Sequence, residues 1–107
     1  MIQGTTPTFT FRLVNHNINL NAARNVYVRF KQSTKVIDKS GSDLEINGYM
    51  LRVWLTQEES LKLSEGADVQ VQINWTYLDT DGVTIRRAAT KPKSIPIDAQ
   101  LLKQVIE

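Results

Sequence analysis

The sequence predicts a small antiparallel all-β sandwich, and three observations carry that expectation. Apolar and polar residues alternate with period two in several short stretches, and Gly, Asn, Asp and Pro residues separate those stretches. Only brief segments, at Thr56 and in the last ten residues, carry helix signals. About seven strands and one short helix are expected in a single domain over residues 1–107, a length that encloses one core and is too short for two.

The first strand is read from Phe9, Phe11 and Leu13, which alternate with Thr8, Thr10 and Arg12. The Asn-rich run from Val14 to Asn21 disfavours a helix and suits a loop, from which Leu20 can enter the core. A second strand follows in NVYVRFKQ, with Val26, Val28 and Phe30 on one side and Tyr27, Arg29 and Lys31 on the other. The stretch from Thr34 to Thr56 then reads as strand, turn at Ser40 to Ser42, short strand, tight turn and longer strand. Asn47-Gly48 is expected to form a type I′ turn, because both residues tolerate positive φ, and it pairs Leu44 to Ile46 with Tyr49 to Leu55.

Thr56 and Glu59 have the spacing of a capping box, so one or two helical turns start there, with Gly66 expected to stop them. The clearest alternation runs from Val69 to Tyr77 and marks a central strand with one buried face. Asp79 to Gly82 then turns the chain into VTIRRAAT, and after Pro92 the segment SIPI is expected to extend an edge strand, since Pro96 has no N–H to donate to a ladder. The tail from Asp98 to Glu107 is expected to be a short helix. This element order suits an immunoglobulin-like sandwich, with a small open β-barrel as the alternative, because alternation cannot distinguish a closed sheet from two packed sheets.

Composition narrows the function classes. A hydrophobic fraction of 41% with 22% charged residues is ordinary for a globular protein, and a formal net charge of +2 singles out no partner. With no cysteine, disulfides, thiolate metal ligands and a cysteine nucleophile are ruled out. No segment nears the roughly 20 apolar residues of a membrane span, and the opening residues lack the pattern of a cleaved signal, so a soluble protein without membrane insertion is expected.

Residues of catalytic type do not converge. His16, the only histidine, sits in the Asn-rich loop and reads as solvated. Asp79 and Asp81 lack the later ligands of a calcium loop and fit hairpin chemistry better. Glu58 and Glu59 are adjacent on a helix, about 100° apart, and so do not face each other across a cleft as glycosidase carboxylates do. The five glycines are scattered one per turn and form no phosphate loop. No enzyme activity, cofactor or metal is expected. Arg86, Arg87, Lys91 and Lys93 beside Trp75 and Tyr77 could suit single-stranded nucleic acid, but those aromatics belong by parity to the inward set, so a charged protective edge is expected and no nucleic-acid partner. Trp54 alternates with Met50 and Arg52, opposite Leu51, Val53 and Leu55, which puts it on an outer face as a candidate contact.

The order of QGTTPTFTF, VYVRFKQ, LRVWLTQEES and VQVQINW resembles the small structural proteins of Firmicutes phage and prophage tail modules, similar to the N-terminal immunoglobulin-like part of baseplate upper proteins. The resemblance covers Gln3 to Ile106, and its most specific pieces are Gln3 to Thr8 and Leu55 to Glu59. It implies a non-enzymatic virion component of the tail or baseplate, present in the bacterial cytoplasm during assembly, whose partners are other tail or baseplate proteins or its own copies. The chain lacks the coiled-coil heptads through which longer baseplate proteins trimerise. Candidate contact residues are Arg52, Trp54, Arg86 and Arg87, with the apolar tail residues Leu101, Leu102, Val105 and Ile106, although that tail could equally be a last core element. The alternative reading is a carbohydrate-binding sandwich in which Trp54 or Tyr49 stacks on sugar rings.

Overall fold

The most regular alternation in the sequence forms the middle of the larger sheet. The computed structural model describes residues 1–2, 4–13, 20 and 23–98, and among them eight strands form two antiparallel sheets. In chain order they are β1 (Thr8–Arg12), β2 (Asn25–Gln32), β3 (Lys35–Ser40), β4 (Leu44–Asn47), β5 (Met50–Trp54), β6 (Val69–Leu78), β7 (Ile85–Ala89) and β8 (Lys93–Ile95). A 3-10 turn (Gly41–Asp43) precedes β4, and helix α1 (Gln57–Leu61) follows β5. No helix among the described residues is long and apolar enough to cross a membrane.

The sheet orders are β1-β5-β4 and β3-β2-β6-β7, with β8 pairing β6 beyond β7. In immunoglobulin letters these are B-E-D and C′-C-F-G, so the fold is an all-β sandwich of the expected kind, two separate sheets rather than a small open barrel. Register follows the apolar pattern: Val26 lies opposite Trp75, Val28 opposite Ile73 and Phe30 opposite Val71. A slip of one residue would turn every one of these side chains outward, which fixes the pairing. Leu51 and Val53 of β5 fill the core from the other sheet, and the Phe9 and Phe30 rings meet across the sandwich at 5.5 Å between centroids.

Several local readings hold. Thr56 Oγ1 accepts from Glu59 N while a Glu59 carboxylate oxygen accepts from Thr56 N, the reciprocal capping box. Leu20 is buried, and its N–H donates to the Gly48 carbonyl beside the β4–β5 turn. Phe9 and Phe11 face inward from β1.

Other readings shift. Asn47 pairs with Met50, so the central turn residues are Gly48 and Tyr49 instead of Asn47 and Gly48. Only Gly48 of these two has positive φ, 60°, which is the requirement of a II′ rather than a I′ turn. The observed register puts Ile46 opposite Leu51 and Leu44 opposite Val53, an all-apolar match that the other register would lose at Tyr49. Gly66 does not stop the helix, which already ends at Leu61. It lies at φ 78° in the next turn, where its N–H donates to the Ile97 carbonyl. The expected tail helix and most of the Asn-rich loop, His16 included, lie outside the described residues.

The β2–β3 hairpin was not marked by any glycine. Gln32 pairs with Lys35, and Ser33 takes positive φ, 56°, in the first turn position. An L-residue with a Cβ is strained there, so Ser33→Gly is expected to stabilise the fold by about 0.5–1 kcal/mol once the entropy of glycine is offset. Urea unfolding of the variant checks this.

Two buried polar side chains tie the larger sheet to the segment around α1. Gln32 Nε2 donates to the Ser64 and Ala67 carbonyls, and its Oε1 accepts from Ser64 N. Lys39 points inward from β3, and its Nζ donates to Glu59 Oε1 at 2.5 Å. One carboxylate therefore caps α1 and neutralises a buried lysine.

Candidate functional site

The outward positions of each sheet supply the surfaces on which contacts can form. Trp54 and Arg52 lie on the outer face of the three-stranded sheet, opposite in parity to the buried Leu51 and Val53. Trp54 is only half-buried, and Arg52 makes a long ion pair of 3.6 Å with Glu45 on β4. Tyr49 is exposed in the turn at the other end of β5. Trp54 lies five residue steps along extended chain from it, about 17 Å, so the two aromatics do not form one stacking platform.

Arg86 and Arg87 are neighbours on β7 and project to opposite faces. Arg86 lies across from Tyr77, and its Nε donates to Asp79 Oδ2 at 2.6 Å. Arg87 lies across from Thr76 on the outer face, and its Nη2 donates to Asn74 Oδ1 at 3.1 Å. Trp75 is buried on the inward side of β6, whereas Tyr77, partly buried, is the cross-strand partner of Arg86. Leu101, Leu102, Val105 and Ile106 lie outside the described residues.

The β6–β7 hairpin end carries apolar residues that the sequence reading passed over. Leu78 and Ile85 are register partners at 44% and 56% exposure, and Val83 in the connecting loop is 81% exposed. Cross-strand partners sit about 5 Å apart, so Leu78 and Ile85 form one patch. The turn beneath is firmly built. Asp79 N donates to the Thr84 carbonyl, Gly82 N to the Asp79 carbonyl, and Asp81 accepts from the backbone of Val83 and Thr84. The signal was available in the sequence: Leu78 falls on the Gln70, Gln72, Asn74, Thr76 side of the alternation, where a solvated strand places polar residues.

On the outer face of the five-stranded sheet, Tyr27 occupies the middle of β2 between Ser40 of β3 and Asn74 of β6. Arg29 and Asp38 beside it form a bidentate pair, with Nε and Nη2 donating to the two carboxylate oxygens at 2.8 and 2.9 Å. The hydrogen bonds from Arg29 hold the Asp38 carboxyl below its ordinary range. Hydrogen bonds from Arg86 do the same for Asp79, and those from Thr84 for Asp81. All three carboxylates are thus committed to arginine or turn partners, as hairpin chemistry required of Asp79 and Asp81.

Among the described residues, no three His, Asp or Glu side chains come together in a way that could hold a metal ion. The arrangement suits non-covalent contact: an apolar hairpin end on one edge, a polar depression around Tyr27 on the same outer face, and Trp54 on the opposite side of the sandwich. No family model matches the chain, and neither does a curated protein or a solved structure.

Proposed function

We propose that the chain is a non-enzymatic structural component of a phage or prophage tail or baseplate, working through protein–protein contacts with other tail proteins or with its own copies. The observation that carries this reading is the exposed cluster of Leu78, Val83 and Ile85 at the end of the β6–β7 hairpin. Single exposed apolar residues are ordinary, whereas three on one rigid hairpin that also borders the free edge of β7 make a contact site. Leu78 and Ile85 are already about half-buried, so covering their remaining surface contributes about 1 kcal/mol each, and covering the more exposed Val83 about 1.5 kcal/mol, an apolar centre that a polar rim would complete.

The resemblance to tail-module proteins gives the class of partner. Its two most specific segments lie against each other: Leu55 N donates to the Pro7 carbonyl, and just past the second segment Ser60 Oγ accepts from Gly4 N at 2.8 Å. Those segments act as a structural signature, leaving the hairpin end as the contact surface. On this reading the protein resides in the virion, and in the host cytoplasm during assembly.

Mass spectrometry of particles purified from an induced bacterium that carries the gene tests the proposal. The chain is expected in the particles at the abundance of a structural subunit. Its presence in the lysate but not in washed particles would overturn the reading.

A further inference from the structure

We infer that the depression around Tyr27 on the outer face of the five-stranded sheet is a binding site for a pyranose sugar, with an acidic sugar preferred over its neutral counterpart. This does not rest on the tail reading, and it moves the sugar site away from Trp54 and Tyr49.

The depression has a volume of about 440 Å³, within the range of small-molecule sites. Its polar wall is formed by Arg29, Asp38, Gln72, Asn74 and Arg87, and Tyr27 lies among them at 45% exposure. A pyranose has a C–H face that packs on an aromatic ring and hydroxyls that both donate and accept, so it requires an aromatic surrounded by planar polar groups.

The wall is pre-ordered and keeps bonding capacity to spare. Arg29 is held by Asp38, Arg87 by Asn74, and Gln72 Nε2 donates to the Thr90 carbonyl. Each of these uses only part of its inventory: Arg29 retains Nη1, Asn74 its amide N–H groups, and Gln72 its carbonyl oxygen. Two arginines against one aspartate leave the wall at about one positive charge, which favours a carboxylate substituent. Because every contributing side chain stands on a strand, little ordering entropy opposes binding.

Amide chemical-shift titration with methyl glucuronide and methyl glucoside tests this. The expected result is saturable shifts centred on Tyr27, Arg29, Asn74 and Arg87, with a Kd of about 1 mM for the glucuronide and about tenfold weaker for the glucoside. Tyr27→Ala should abolish the shifts, and Tyr27→Phe should keep them. Tyr27 faces outward, so a dispersed spectrum of Tyr27→Ala will verify its fold, and Arg87→Ala provides a second variant expected to remove the preference for the acidic sugar. No saturable shifts with either glycoside up to about 50 mM, or undiminished binding by Tyr27→Ala, would overturn the assignment.

Discussion

Glu59→Ala will destabilise the fold by about 3 kcal/mol, because the substitution strips a buried lysine of its counter-ion and removes half of a capping box at the same time. Lys39 Nζ is buried on the inward side of β3, and Glu59 Oε1 accepts from it and from Thr56 N. Once the carboxylate is gone, the ammonium must find water or lose its proton, and breaking a buried pair costs more than the pair ever contributed. Lys39→Met in the same background should recover most of the loss, since an apolar side chain of similar length fills the site without a charge. A double-mutant cycle in urea measures both effects.

The same pair sets part of the acid limb. Burial opposes ionisation of Glu59, but the hydrogen bonds from Lys39 and Thr56 outweigh it, so its carboxyl titrates below the ordinary value of 4.5. A depressed folded-state pKa contributes stability that is present above the unfolded value and lost as pH falls through the folded one. Asp38, Asp79 and Asp81 shift in the same direction. Unfolding free energy should therefore drop as the pH is lowered from about 5 toward 2, with a shallower drop in Glu59→Ala.

Phe30→Ala is the second large effect, at about 4 kcal/mol. Phe30 is 1% exposed and lies opposite Ile37 on one neighbouring strand and Val71 on the other. Its ring also meets Phe9 of the opposite sheet, so truncation opens a cavity at the junction of the two sheets and removes an aromatic contact of about 1 kcal/mol. Against a typical total of about 5–15 kcal/mol, the variant should be close to unfolding at body temperature. Val36→Ala, on the exposed side of β3, is the control and should change stability by no more than about 0.5 kcal/mol. Thermal unfolding followed by circular dichroism separates the two.

What could be read in the sequence depended on how local the cause was. β2 and β6 were legible because alternation over eight or ten residues has one interpretation, and the cap of α1 because Thr56 and Glu59 stand three apart. The β4–β5 turn was misplaced by one residue because both registers keep Leu44 and Ile46 facing inward, and only the match with Leu51 and Val53 decides between them. Lys39 and Gln32 were invisible as buried groups, since their partners Glu59 and Ser64 lie 20 and 32 residues away. For the surfaces, parity placed Trp54 outward and Arg86 and Arg87 on an edge strand. It also held the information for Tyr27 and Leu78, whose outward positions are anomalous for an aromatic or a leucine. Gathering Leu78, Val83 and Ile85 at one hairpin end required the fold.

Incorporation of a hairpin variant into particles tests the contact claim most directly. Val83→Asp combined with Ile85→Asp places two charges on the exposed end while leaving the core untouched. With both chains expressed during induction and quantified in washed particles, wild type should be incorporated, whereas the folded double variant should remain in the lysate. Equal incorporation of the two would contradict the hairpin end as the surface through which this protein acts.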